Sequence, residues 1–110
     1  MVCAVQLPAG FRVVAEVTEF DLAVYALVRA IPPGTVSSYG RIADAAQMPG
    51  RSRRVGRAMA NCPEDVPWHR VVNAAGRLVP GHEREQAERL RAEDVMCEGG
   101  RVRPPVPWSE

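Results

Sequence analysis

No lysine occurs among the 110 residues, and all fourteen basic side chains are arginine. Arginine-only usage follows genomic base composition as readily as a preference for forked phosphate contacts, so it carries no functional weight. No apolar run approaches the roughly 20 residues needed to cross a bilayer, which excludes a helical membrane span. Cysteine is scarce. Cys3, Cys62 and Cys97 are odd in number and widely spaced, which fits neither a disulfide framework nor paired zinc-ligand spacing. They read as unpaired thiols, with no metal and no cofactor implied. Residues 1–10 hold no basic region ahead of an apolar stretch, so they do not read as a secretory signal, and a cytoplasmic protein is expected. Internal repeats and a second domain are also missing. The length supports one domain over residues 1–110, burying roughly two-thirds of the surface its unfolded chain exposes. An apolar share of 46% and a charged share of 25% then exclude the disordered, fibrous and membrane classes.

What is present is unevenly distributed. The net charge is only +1, yet residues 41–77 carry seven arginines against three acids, while the flanking thirds are each slightly acidic. Thr18 followed by Asp21 predicts a helix start, and Phe20, Ala23, Val24, Leu27, Val28 and Ile31 recur at helical spacing. Pro32, Pro33 and Gly34 end that helix. Ser37 or Ser38 can cap a second, short helix with Ile42, Ala45 and Ala46 inward, and a turn at Met48, Pro49 and Gly50 leads to a third over about 52–61. Helix, short glycine-containing turn and helix make a helix-turn-helix unit. Residues 69–72 and 77–79, separated by Asn73, Ala74, Ala75 and Gly76, predict a small β hairpin or wing. Residues 82–95 predict a charged surface helix touching the core through Ala87, Leu90 and Val95. Three prolines in residues 101–110 predict an extended tail with scope for mobility. The fold expected is mainly α, a winged helix-turn-helix-like DNA-binding domain. Arg51, Arg53, Arg54 and Arg57 crowd the front of its third helix, where the helix terminus adds partial positive charge, and that face suits an anionic backbone.

The string Pro67-Trp68-His69-Arg70-Val71 resembles the Pro-Cys-His-Arg-Val signature of O6-alkylguanine-DNA alkyltransferases, in which the cysteine accepts the alkyl group. Trp68 cannot take that part, because an indole N–H only donates hydrogen bonds and has no accessible nucleophilic form. Tryptophan at this place is the mark of the alkyltransferase-like proteins, whose known members bind alkylated DNA without dealkylating it. The resemblance spans about residues 20–95. It is carried also by Val36-Ser37-Ser38-Tyr39-Gly40-Arg41-Ile42-Ala43 and by Arg53-Arg54-Val55-Gly56-Arg57-Ala58-Met59-Ala60-Asn61.

The resemblance implies a fold like the C-terminal domain of the alkyltransferases and no catalytic residue. Its implied task is to bind O6-alkylguanine in duplex DNA through the minor groove, flip the base, and flag it for nucleotide excision repair proteins, as a monomer with no membrane partner. Arg53 resembles the finger that fills the space of an extruded nucleotide, and Tyr39 the tyrosine acting at the phosphate beside it. Ser38, Arg54 and Arg57 join them as expected DNA contacts. Trp68, Tyr39 and Val71 are expected to line the lesion pocket. His69 and Glu93 resemble a proton relay that here has no thiol to activate, leaving a polar network beneath Trp68, with Asn61 as structural support either capping the helix or near the base. The segment over residues 76–82 lacks the Tyr-Ser-Gly-Gly-like lid of active alkyltransferases, and the arginine by which alkyltransferase-like proteins sense the modified guanine aligns securely with neither Arg77 nor Arg84, which leaves that role open. Two other functions fit the sequence: an alkyltransferase using another nucleophile, for which Cys62 is the candidate, and a winged-helix transcription factor.

Overall fold

The computed structural model describes residues 18–109. The expectation about residues 1–10 and the thiol of Cys3 lie outside them. Thr18 and Asp21 cap each other reciprocally: Asp21 N–H donates to Thr18 Oγ1 at 3.2 Å, and Thr18 N–H to Asp21 Oδ2 at 3.1 Å. They start α1, Glu19–Arg29, which buries Val24, Tyr25 and Val28. A two-residue strand, β1 (Ser37–Ser38), runs straight into α2 (Tyr39–Ala45), where the Ser38 hydroxyl accepts the Arg41 N–H at 3.1 Å. The chain leaves α2 through Gln47 at φ 63°, and Met48 N–H returns to the Ala43 carbonyl at 2.9 Å. These bonds satisfy carbonyls that the helix end would strand. Helix α3, Ser52–Ala60, follows after Gly50 and completes the helix-turn-helix pair. The Tyr25 hydroxyl pins α1 to it, donating to the Ala58 carbonyl at 2.8 Å.

A 3-10 turn, Trp68–Arg70, delivers the chain into β2, Val71–Val72, which pairs in parallel with β1. Successive strand residues face opposite sides, and here the two valines divide the interior between them. Val71 joins Val24, Val28, Ile42, Val55 and Val66 among the first three helices, whereas Val72 joins Val36, Leu78, Leu90, Val95 and Val102 on the other side. The second group is closed by α4, Glu83–Arg91, and by the antiparallel strands β3 (Cys97–Glu98) and β4 (Arg101–Val102).

Two expectations give way here. The hairpin predicted from residues 69–72 and 77–79 does not form as a strand pair. Asn73 Oδ1 instead accepts the N–H groups of Ala75 and Arg77, at 2.9 and 2.8 Å, around Gly76 at φ 81°. Val71–Val72 is apolar on both faces and buries between two groups of side chains, which a two-stranded wing in water cannot offer. The antiparallel hairpin is β3–β4, turned by Gly99 and Gly100, both at positive φ as a tight hairpin turn requires. The tail is extended but not free. Val36 N–H donates to Pro107 at 2.9 Å and Ser109 N–H to Val36 at 2.7 Å, while Val102, Val106 and Trp108 complete the second apolar group. Among the described residues no helix is long and apolar enough to cross a membrane.

Gln86 is the residue least foreseen. It lies in the charged helix α4, yet it is fully buried, and its amide serves three backbone groups. Oε1 accepts from Val79 N–H at 2.7 Å, and Nε2 donates to the carbonyls of His69 and Val71 at 3.1 and 3.0 Å. Replacing it by leucine keeps the volume and leaves those three groups unpaired away from water. Gln86→Leu is expected to lower unfolding free energy by about 2–4 kcal/mol, read from urea denaturation.

Candidate nucleic-acid interface

Helix α3 presents Arg51, Arg53 and Arg57 to solvent, with no acid in its first turn. None of the three is within ion-pairing distance of an acid among the described residues. Arg54 departs from the expected DNA-contacting set. Its guanidinium donates to the buried Asp21 carboxylate at 2.7 Å and to Thr18 Oγ1 at 2.9 Å, and sits 5.0 Å over the Phe20 ring, so it staples α3 to α1. Arg54 and Thr18 together hold Asp21 below the usual carboxylate range against the opposing effect of burial. Ser38 departs as well, since its side chain is buried and its hydroxyl caps α2. Along the same helix, a Cβ placed on Gly56 would meet nothing within 4 Å, so internal packing does not demand glycine there. The residue costs helix stability of roughly 0.5–1 kcal/mol against alanine and leaves open space at the surface.

That space belongs to a cleft of about 410 Å³, within the roughly 300–1,000 Å³ usual for small-molecule sites. Tyr39 and the Gly56, Met59 and Ala60 edge of α3 form one side, and Trp68 lies within it. Val79, His82 and Glu85 form the other side, with Cys62 also in the lining. Val71 is not there. Its place in β2 turns its side chain into the first apolar group at 1% exposure, which corrects the expectation that it lines the pocket. Burial pushes the Tyr39 phenol up, so it remains a neutral O–H donor at physiological pH. Burial likewise pushes the Cys62 thiol up, away from the thiolate that nucleophilic attack needs. The Trp68 ring meets His69 and His82 edge to face at centroid separations of 6.4 and 6.1 Å.

Beneath Trp68 the Glu93 carboxylate is held from three directions. His69 Nε2 lies 2.9 Å from Oε2, Arg70 Nη2 2.6 Å from the same oxygen, and Arg70 Nε 3.0 Å from Oε1. The Arg70 and His69 hydrogen bonds hold Glu93 well below the usual carboxylate range, at about 2, against the effect of burial. An ionised carboxylate accepts only, so His69 Nε2 donates; buried Nδ1 has no partner among the described residues. Asn61 stands outside this network. Exposed at the end of α3, it donates from Nδ2 to the Arg57 carbonyl at 3.3 Å, closing the helix and correcting its grouping with His69 and Glu93.

The family model for the DNA-binding domain of 6-O-methylguanine DNA methyltransferase matches residues 19–95. The chain belongs to that family. Within it the similarity extends to alkyltransferase-like proteins. A DNA base-flipping protein of Vibrio parahaemolyticus is 40% identical over 76% of this chain and 89% of its own length. Alkyltransferase-like protein 1 of Schizosaccharomyces pombe is 45% identical over 70% of this chain and 77% of its own. The crystal structure of S. pombe Atl1 in complex with damaged DNA containing O6-carboxymethylguanine superposes with a TM-score of 0.74 at 36% identity, covering 84% of this chain and 96% of that one.

In this alkyltransferase-like chain Tyr39 and Trp68 line one opening together with the Gly56 edge of α3, the helix that also carries the exposed Arg53 and Arg57, and His69, next to Trp68 in the chain, is bonded to Glu93. Sequence reasoning missed the opposite wall. His82 and Glu85 read as part of a solvated charged helix, and only the unusual segment over residues 76–82 marked that side of the pocket as different. Glu93 also sets a pH dependence. A carboxylate whose pKa is depressed in the folded state contributes stability above its unfolded pKa and loses it as pH falls toward the folded one. Between about pH 5 and 2 the protein is expected to lose roughly 3 kcal/mol from this group, and Glu93→Gln to flatten that part of the stability profile measured by denaturant titration.

Proposed function

We propose that this chain is a non-enzymatic DNA damage sensor, one domain over residues 1–110, that binds duplex DNA through the minor groove and flips O6-alkylguanine into the cleft beside Trp68. The observation that carries it is the cleft itself: a base-sized opening bounded by the basic helix α3 on one side and Trp68 within, with no activated thiol among the described residues of its lining. The names of the relatives support it, since proteins 40% identical are DNA base-flipping proteins. Extruding a base costs a few kcal/mol in stacking and pairing, least where alkylation has already weakened the pair. Arg53 fills the vacated space, its flat guanidinium both stacking and donating. Tyr39, a neutral donor at the cleft's edge, binds the phosphate that must rotate, and Arg57 neutralises the adjoining backbone. Trp68 gives the extruded base an apolar face and one N–H donor, which suits a base made less polar by alkylation.

His69, Arg70 and Glu93 act in this scheme as supports for the turn carrying Trp68. The held lesion is passed to nucleotide excision repair proteins, with the protein acting as a cytoplasmic monomer that needs no cofactor. Because Cys62 lines the same cleft, a second function is alkyl transfer to that thiol. The two part on chemistry, since transfer adds the alkyl mass to the chain and removes it from DNA.

Fluorescence anisotropy at one stated salt concentration is expected to give tighter binding to a duplex bearing O6-methylguanine than to the same duplex with guanine. Mass spectrometry of the recovered protein is expected to give an unchanged mass. Arg53→Ala should cost roughly tenfold in affinity for the lesion, as loss of a charged stacking contact worth about 1.4 kcal/mol would, while α-helical circular dichroism stays as in the wild type. Equal affinity for both duplexes would sink the sensor function, and a mass gain of one methyl group would favour Cys62 chemistry.

A further inference from the structure

A cleft meant for part of a polyanion has, among the described residues that line it, a carboxylate and no arginine. Glu85, from the first turn of α4, is the charged side chain among the lining residues described, beside His82 and the neutral Tyr39 phenol and Cys62 thiol. A negative charge opposing approaching phosphates raises the energy of binding, so its presence calls for something the cleft receives that a carboxylate holds well. The same corner already holds a cation. Arg89 Nη2 donates to Glu85 Oε2 at 3.0 Å, and the Arg89 guanidinium carbon lies 5.7 Å from the centre of the Trp68 ring. Both partners of that pair are about half exposed, and exposed pairs one helical turn apart are weak and readily exchanged. Carboxylate and indole face together are therefore arranged around positive charge, with a displaceable side chain in place.

We infer that the cleft takes a second class of damaged base, a purine made cationic by alkylation on a ring nitrogen, held between Trp68 and Glu85 in place of Arg89. This rests on the flipping function proposed above and extends it to another ligand. Reagents that alkylate the guanine oxygen also alkylate ring nitrogens, so such bases arise beside O6-alkylguanine. A cationic base gains from the indole face as a guanidinium does and gains again from the carboxylate, whereas a neutral isomer gains from neither charge. The contacts are electrostatic rather than directional, so they do not require one edge of the base to be presented.

The test compares two duplexes differing in the position of one methyl group: 1-methyladenine, which carries a ring positive charge at neutral pH, and its neutral isomer N6-methyladenine. Each is placed opposite an abasic site so that neither is paired, and extrusion differs little between them. Anisotropy titrations of the full chain are expected to give about fivefold tighter binding of the cationic duplex, the scale of one partly exposed cation–π contact plus one partly exposed ion pair. Glu85→Gln should shrink the difference to the part the indole face supplies, about twofold, and Arg89→Ala, which removes the internal competitor, should preserve or enlarge it. Equal affinities in the wild type, a difference left undiminished by Glu85→Gln, or one that Arg89→Ala abolishes would each overturn the inference. An O6-methylguanine duplex run alongside separates the two claims. If it is preferred over guanine while the cationic base is not preferred over its isomer, only this inference falls.

Discussion

The Glu93 carboxylate is the constraint on which the functional half of the molecule depends. It sits in the turn that closes α4, where Asp94 at φ 66° reverses the chain and Val95 N–H returns to Leu90. From there it binds His69 and Arg70 in the 3-10 turn, and Arg70 reaches on to the Ile31 carbonyl beyond the end of α1, at 3.0 Å. Through Arg70, three segments far apart in sequence are thereby tied together, and the residue just before the His69–Arg70 pair is Trp68. Buried ion pairs often contribute little net stability, because desolvation offsets attraction. Their geometry is nevertheless demanding, and a turn held by four directed hydrogen bonds cannot drift. Gln86 supports the same turn from the other side, through the carbonyls of His69 and Val71.

This brace fixes the turn that carries Trp68 without calling on any reactive atom. Where relatives are methylated-DNA–protein-cysteine methyltransferases, their names describe a cysteine that accepts an alkyl group. In this chain Trp68 offers the cleft a large flat indole surface. The proposed finding and extruding of a base draw on other features: arginines of α3 with no ion-pair partner among the described residues, an open edge at Gly56, and a neutral phenol at the rim.

The helices were legible because their signals are local. The Thr18–Asp21 pair, the Ser38 cap and the apolar spacing of α1 lie within a few residues of one another, and each forms where the pattern puts it. The pairings that failed are long-range. A strand of two valines carries no information about its partner, and β2 met β1 across more than thirty residues of chain rather than the segment just after it. Arg54 looked like its neighbours Arg53 and Arg57, but facing Asp21 across the interface between α1 and α3 turns the same side chain into a staple. The tail suggested mobility from its prolines, whereas Trp108 decides its fate by packing under Arg41, at 4.7 Å. For the cleft, Tyr39 and Trp68 were visible as motif residues, while Glu85 and His82 were hidden in a helix whose polar composition is that of an ordinary solvated face.

The central claim is that the protein holds an intact lesion outside the helix, beside Trp68, without altering it. A crystal structure on a duplex carrying O6-methylguanine tests this most directly. The expected result is the guanine rotated out of the stack into the cleft between Tyr39 and Trp68, with Arg53 in the vacated space and the methyl group still on O6. A lesion left stacked in the duplex, or a methyl group found on Cys62, would contradict it.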